Sequence, residues 1–433
     1  MHFRVDPASV QSAAVTVPGD KSISHRALML GSIAEGTTRI TGFLNGEDCL
    51  ATLEAMRAMG VGIEQLDPNS VVVDGVGMAG LEPPGSALDM GNSGTAMRLM
   101  AGLLAGQNFD STLVGDASLT GRPMGRIINP LEQMGATIDS DEGRPPLTIH
   151  GSKDLKGIHY ELPVASAQVK SSVLLAGLFA SGQTSVVEPA VTRDHTERMF
   201  KSMGIDIEIA GNRIAVQGGQ RLQSCDIEVP GDLSSAAFVM LAALISDGAD
   251  VIIRSVGVNP TRTGVIHILR SMQADISLEN ERMLAQEPVA DIRIRSSDLQ
   301  GCAVDPALVS LAIDEFPVLF VAAAAARGAT TFTGIGELRV KESDRIAAMA
   351  NGLKGLGVQV DESPDGAVVH GGVISGGSVE SCGDHRIAMA LAMAACASSG
   401  PVEVRDVAAV DTSFPGFAPL LQSIGLPIEV RSA

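Results

Sequence analysis

Short alanine- and leucine-rich segments recur along the chain, each opened by a small polar or acidic residue. They start at Asp20 (DKSISHRALMLGSIAEG), Asn92 (NSGTAMRLMAGLLAG), Ser166 (SAQVKSSVLLAGLFASG), Asp232 (DLSSAAFVMLAALISDG), Asp314 (DEFPVLFVAAAAARG) and Asp384 (DHRIAMALAMAACASSG). Successive starts lie 66 to 82 residues apart. Asp, Asn and Ser accept hydrogen bonds from the free N–H groups of a helix start, and a glycine near each far end fits a helix stop. A second series keeps the same beat: AMRAMGVGIE turns at Gly60, LEQMGATID at Gly135, MFKSMGIDIE at Gly204, GLKGLGVQVD at Gly357 and LLQSIGLPIEV at Gly425. The fourth copy, LRSMQADISLE, has Gln273 and Ala274 instead. Each copy predicts a helix, a turn and a strand of alternating apolar residues. Runs such as TTRITGF, TSVVEP, DVIIRSV and TTFTGIG supply further strands. The pattern predicts an α/β protein of six repeated units, each running helix–strand–helix–strand–strand.

VPGD occurs at Val17–Asp20 and again at Val229–Asp232, which divides the six units into two sets of three. The expected domains are residues 1–19 plus 229–433, and residues 20–228, each of ordinary domain size. The longest apolar run, Phe316 to Ala326, contains Pro317 and stops at Arg327, too short to span a bilayer. No charged-then-apolar leader opens the chain, so a cytoplasmic location is expected. The five cysteines form no CxxC pair and read as reduced thiols. Lys and Arg number 31 against 50 Asp and Glu, a net charge of −19, and aromatic residues make up only 3%. Both facts argue against a nucleic-acid partner, which needs basic charge and stacking rings.

The acidity contrasts with what stands at the helix mouths. A helix N-terminus offers unpaired N–H donors and a positive dipole end, which suits phosphate or carboxylate. The first mouth carries Lys21, Ser22 and, one turn on, Arg26; the second Asn92-Ser93-Gly94-Thr95 with Arg98. The third carries Ser166-Ala167-Gln168 with Lys170, and the sixth Asp384-His385-Arg386. The fifth opens with acid, Asp314-Glu315, and the fourth has no cation and reads as structural. Loops add Arg122 and Arg126 (LTGRPMGR), Arg193, His195 and Arg198 (TRDHTER), and Arg339, Lys341, Glu342 and Arg345 (LRVKESDR). GDKS lacks the frame of a nucleotide P-loop, and no histidine spacing suits a metal. Repeat symmetry would bring several mouths together, so a site for a small polyanion is expected, with Arg gripping phosphate or carboxylate bidentately. Arg98, Arg126 and Lys170 stay open between ligand contact and structural pairing. Asp314 is open between a helix cap and a general base.

VPGDKSISHRAL, NSGTAMR, LTGRPMGR, SAQVKSS, IDEFP, RVKESDR and GDHRIAMA, in that order, resemble the 5-enolpyruvylshikimate-3-phosphate (EPSP) synthase family from about residue 5 to residue 420. The resemblance implies a two-domain inside-out α/β barrel of six βαβαββ-type units, with the active site in the cleft between the domains. It implies transfer of the carboxyvinyl group of phosphoenolpyruvate to the 5-hydroxyl of shikimate 3-phosphate, with no metal and no cofactor, in a monomer. Residue by residue, it makes Asp314 the base for the 5-hydroxyl proton, while Glu342 with Lys21 manages the methylene proton. Lys21, Ser22, Arg26, Ser166, Ala167, Gln168, Arg193, Asp314 and Lys341 would hold shikimate 3-phosphate. Lys21, Gly94, Arg122, Gln168, Arg345 and Arg386 would line the phosphoenolpyruvate site.

The chain departs from the enterobacterial pattern, which has a second serine at Ala167, a tyrosine at His195 and a lysine near Thr412. SAQVK, RDHTE and NPTR (Asn259–Arg262) resemble the second division of the family, often tolerant of glyphosate, although Gly94 is the small residue of sensitive enzymes. Three rivals are a carboxyvinyl transferase acting on a nucleotide sugar, a non-catalytic phosphosugar binder and an RNA-end-processing enzyme. The first needs a catalytic cysteine in a loop motif, which neither Cys49 nor Cys225 occupies. Both Asp314 and Glu342 are present, against the second. Charge and low aromatic content oppose the third.

Overall fold

The computed structural model describes residues 1–152 and 154–432. The six expected helices form: α1 (Lys21–Ser32), α2 (Gly94–Ala105), α3 (Ala167–Phe179), α4 (Leu233–Leu244), α5 (Phe316–Ala325) and α6 (His385–Met393). Five are capped by the side chain just before them. Asp20 accepts from Ile23 N at 2.9 Å, Ser93 from Ala96 N at 3.1 Å and Ser166 from Val169 N at 3.4 Å. Asp232 accepts from Ser234 N at 2.8 Å and Asp384 from Arg386 N at 2.9 Å. A cap of this kind contributes about 1 kcal/mol. The fifth helix is the exception: Glu315 precedes it without a side-chain cap bond, and Pro317 occupies its first turn. There the proline supplies the helical φ and leaves no N–H to satisfy. The apolar run ALVSLAI before Asp314, which by pattern alone suits a buried strand, forms a short 3-10 turn, Pro306–Leu308, followed by a helical turn, Val309–Ala312.

Among the described residues the helices alternate with six sheets, five of four strands and one of three. In the second unit, Leu88–Asp89 runs parallel to Ser111–Val114, which is antiparallel to Arg144–His150, itself antiparallel to Thr137–Asp141. The same order recurs, so the unit is βαβαββ. In the fifth unit the opening strand shrinks to isolated bridges, Gln300 with Arg327 and Ala303 with Thr331. Two units borrow their opening strand from elsewhere in the chain. Ile227–Glu228 joins Glu35–Thr41, and Ala13–Val15 joins Asp250–Gly257. The sixth sheet takes His2–Val5 between Val402–Arg405 and Ile428–Arg431.

The chain separates into two compact units. One comprises Met1–Pro18, Pro230–Met283 and Pro288 onward; the other comprises Gly19–Val229 with Leu284–Glu287. Each has its own hydrophobic core. Every residue of α4 is buried. Phe320 stacks on Phe332 with ring centroids 4.8 Å apart, and Phe316 meets the same ring edge-on at 5.7 Å. Such pairs add about 0.5–1.5 kcal/mol to burial.

Two backbone features explain the punctuation of the sequence. The helix-ending glycines Gly60, Gly135, Gly204, Gly357 and Gly425 all have positive φ, from 82° to 100°, and Gln273 takes the same left-handed role at 70°. Glycine adopts that conformation without a Cβ clash. At Gly19 a Cβ would lie 1.8 Å from the Gly42 carbonyl oxygen, so the glycine of the first VPGD is required by close backbone approach.

Candidate active site

Each unit carries its own cluster of site residues. In the unit containing α1 to α3, Lys21 opens α1 and pairs with Asp48 at 2.9 Å. Arg26, one turn on, is 4% exposed. Its Nε donates to Thr196 Oγ1 at 2.7 Å, Nη1 to the Ser22 carbonyl at 2.9 Å and Nη2 to Ser171 Oγ at 2.7 Å. All three acceptors are neutral oxygens. Burial pushes the Arg26 guanidinium down to about 10; Glu197 opposes this, and Arg193 lowers it further. A buried cation flanked by neutral acceptors and a second arginine has unspent affinity for an anion.

His25, beside them, is buried. It shares Nδ1 with Thr52 Oγ1 at 2.8 Å and Nε2 with Ser93 Oγ at 3.3 Å. Burial, then Lys21 and Arg26, hold it well below the usual imidazole range. It is therefore neutral at pH 7 and links the mouths of α1 and α2.

The mouths of α2 and α3 are joined by side chains. Arg98 Nη1 donates to Gln168 Oε1 at 2.7 Å, and Gln168 Nε2 donates to Thr95 Oγ1 at 2.8 Å. Arg98 therefore orients Gln168. Arg122 Nη2 donates to Asn92 Oδ1 at 2.6 Å and Ser118 Oγ at 3.0 Å. A Cβ on Gly94 would lie 2.9 Å from Arg98 Nη1 and 3.2 Å from Arg122 Nη1. Two guanidinium tips thus converge over the one residue without a side chain. Ser166 caps α3 and Ala167 is its first residue.

Lys170 is a structural cation. It is 1% exposed and bonds Glu197 at 2.7 Å and Glu188 at 3.1 Å. Burial, the largest influence, raises the Glu188 carboxyl above its ordinary range despite Lys170. Two loop residues singled out by sequence also turn structural. Arg198 ties Asp194 at 2.8 Å and the Gln286 carbonyl at 2.6 Å, while His195 Nδ1 meets Glu287 at 2.7 Å.

In the unit containing α4 to α6 the centre is Arg345, 1% exposed. It reaches three carboxylates: Glu342 at 2.6 Å, Asp384 at 2.8 Å and Asp314 at 3.3 Å. Burial alone would lower its pKa; Asp384, Glu342 and Asp314 outweigh this and raise it. Conversely, burial would raise the Asp384 carboxyl, but Arg345 holds it below the usual range. Lys341 stands 3.8 Å from Asp314 on the oxygen that Arg345 also approaches. Asp314 is therefore no helix cap, but an acid aimed at cations. Arg386 Nη1 donates to the Asp314 carbonyl at 3.2 Å. Arg339 is spent on Asp344 at 2.7 Å and Glu362 at 3.0 Å.

Sequence reading missed Asp384 as the anchor of Arg345, although it had placed that residue as a cap. It missed Asp48, the partner of Lys21, and Glu287, which lies 92 positions from His195. It also took the α4 mouth as cation-free, whereas Arg262 Nη2 lies 2.7 Å from Ser234 Oγ and 3.3 Å from Asp232. No short-range signal marks these pairs. Among the described residues no group of three or more His, Cys, Asp or Glu could hold a metal ion, and no helix is long and apolar enough to cross a membrane.

The chain matches the family model for EPSP synthase (3-phosphoshikimate 1-carboxyvinyltransferase) over residues 5–421. It is 57% identical over 430 residues to a 3-phosphoshikimate 1-carboxyvinyltransferase of Alkalilimnicola ehrlichii, covering 99% of this chain and 96% of that one. An Acidithiobacillus ferrooxidans protein of the same name is 58% identical over 431 residues, covering 100% and 99%. The structure of EPSP synthase from Acinetobacter baumannii superposes with a TM-score of 0.90 at 53% identity, covering 100% of both chains. The six-unit α/β architecture is that of these synthases. Motif order, fold and full-length identity converge, and the chain belongs to the EPSP synthase family.

Proposed function

We propose that the chain transfers the carboxyvinyl group of phosphoenolpyruvate to the 5-hydroxyl of shikimate 3-phosphate and releases phosphate. The observation that carries this is the Arg345 centre: one buried guanidinium gripping Asp314, Glu342 and Asp384, with Lys341 on the same Asp314 oxygen. Two carboxylates, Asp314 and Glu342, stand beside one buried guanidinium, where one can take a proton and the other deliver one.

In this reading Asp314 takes the 5-hydroxyl proton as the oxygen attacks C2 of phosphoenolpyruvate. Glu342, with Lys21, delivers a proton to the methylene carbon, which becomes a methyl group. The tetrahedral adduct then loses phosphate, and loss of a methyl proton restores the vinyl double bond. Fixed cations favour the charged adduct because they are already oriented. Arg26, Arg193, Ser22, Ser166, Ala167, Gln168, Lys21, Lys341 and Asp314 hold shikimate 3-phosphate. Arg122, Arg345, Arg386, Gly94, Gln168 and Lys21 line the phosphoenolpyruvate site. The neutral acceptors around Arg26 and the bare Gly94 support those assignments.

The test is phosphate release from phosphoenolpyruvate in the presence of a chelator. Release should require shikimate 3-phosphate and proceed without metal; release that is independent of the acceptor, or abolished by the chelator, overturns the reading.

We further infer membership of the second, often glyphosate-tolerant division, on SAQVK, RDHTE and NPTR. Turnover should survive micromolar glyphosate, and inhibition there refutes it. Gly94→Ala would press on Arg98 and Arg122 and should raise the phosphoenolpyruvate KM. The reading also includes a cytoplasmic monomer. The five cysteines form no disulfide, which suits a reducing compartment, and sedimentation tests the monomer.

A further inference from the structure

The NPTR segment marks the sequence but has no part in the steps above. Asn259 Oδ1 accepts from Thr261 N at 2.9 Å and Thr261 Oγ1 at 2.8 Å, and Arg262 N donates to the Asn259 carbonyl at 2.8 Å. This turn fixes the backbone from which Arg262, 3% exposed, extends. Arg262 Nη2 donates to Ser234 Oγ at 2.7 Å and lies 3.5 Å from Glu315 Oε1. Ser234 Oγ donates to that same glutamate oxygen. From the other side Arg386 Nη1 lies 4.0 Å from it and donates to the neighbouring Asp314 carbonyl at 3.2 Å. One carboxylate oxygen, on a residue 1% exposed, is thus shared by Arg262, Ser234 and Arg386.

A carboxylate beside an anion-binding arginine opposes an incoming anion by charge alone. Its benefit must come from geometry. Arg262 offsets the charge of Glu315, while the oxygen attracts the Arg386 guanidinium across 4.0 Å and the Asp314 carbonyl accepts its hydrogen bond. The entropy of ordering that long side chain is then lost on folding rather than on substrate binding.

We propose that Arg262, Ser234 and Glu315 form a positioning network that presets Arg386 for phosphoenolpyruvate. This rests on Arg386 lining the phosphoenolpyruvate site. It assigns a task to NPTR and to the α4 mouth.

The experiment is steady-state kinetics with both substrates on the full chain, with thermal midpoints in parallel. Ser234→Ala is the key variant, since it removes the bridging hydroxyl and keeps every charge. It should raise the phosphoenolpyruvate KM about threefold to tenfold, the range for one side chain left to be ordered. The shikimate 3-phosphate KM should stay within about twofold. Glu315→Gln should act in the same direction. In an Arg386→Lys background Ser234→Ala should add nothing, an outcome a purely structural role would not produce. A fall in the phosphoenolpyruvate KM, a parallel rise in both KM values, or a Ser234→Ala effect undiminished by Arg386→Lys overturns the proposal. If Arg386→Lys raises that KM and Ser234→Ala leaves it unchanged, the network alone falls. If Arg386→Lys itself leaves it unchanged, the reading of Arg386 falls and takes the network with it. Ser234→Ala keeps the test decisive should Glu315→Gln not fold.

Discussion

Asp314 and His25 show how neighbours decide what a titratable residue does. Asp314 sits with Lys341 and Arg345 on one oxygen, so an amide there keeps the shape but loses both charge attraction and basicity. Asp314→Asn should retain shikimate 3-phosphate binding by calorimetry and lose turnover by about 10²–10⁴-fold, the range for a general base; near-normal turnover would remove it from that role. His25 has a depressed folded pKa against an ordinary value of 6.5. Its stabilisation is fully present above that ordinary value. As pH falls below 6.5 the unfolded chain takes up a proton that the folded one refuses, at about 1.4 kcal/mol per pH unit until the folded pKa is reached. Urea titrations from pH 7 to 5 should therefore show a steeper loss of stability in the native chain than in His25→Asn. Parallel curves would contradict neutral burial of this ring.

At the scale of elements, the repeat is written in punctuation. Five helix ends use glycine in the left-handed region and the fourth forces Gln273 there. A non-glycine residue in that region costs roughly 1–2 kcal/mol, partly balanced by the greater freedom of glycine in the unfolded chain. Gln273→Gly should raise unfolding free energy by about 0.5–1 kcal/mol in urea denaturation, with no change in slope. The helix starts were legible for the same reason: caps act over two or three residues. The turn formed by ALVSLAI was not legible, because a short apolar run suits a strand or a buried helical turn equally. The shared loads were not legible. Lys170 stands near a helix mouth as Gln168 does, yet it closes on two glutamates. Its helix is buried over ten consecutive residues from Val169 to Leu178, so a mouth position there does not imply access.

For the whole molecule, a net charge of −19 coexists with buried arginines, Arg26 in one unit and Arg345 in the other. Screening over about 8 Å at physiological salt makes local charge the relevant one for a small anion. Shikimate 3-phosphate at about 100 times its Kd should add about 2.7 kcal/mol to stability by binding the folded state only. Thermal scans should show this shift in the native chain and its near loss in Arg26→Gln; equal shifts in both would take Arg26 out of the binding site.

The sequence by itself determined the six-unit α/β repeat, the helix caps and turns, and the motif set that carries the family, because each depends on neighbours within a few residues or on fixed spacing. Tertiary structure alone decided which charges are spent. Arg345 and Asp384 are 39 positions apart, Arg26 and Ser171 145, and Arg262 and Glu315 53. A buried ion must find its partner wherever packing brings one, since leaving it alone costs several kcal/mol. That requirement is met in space, and linear order carries no record of it.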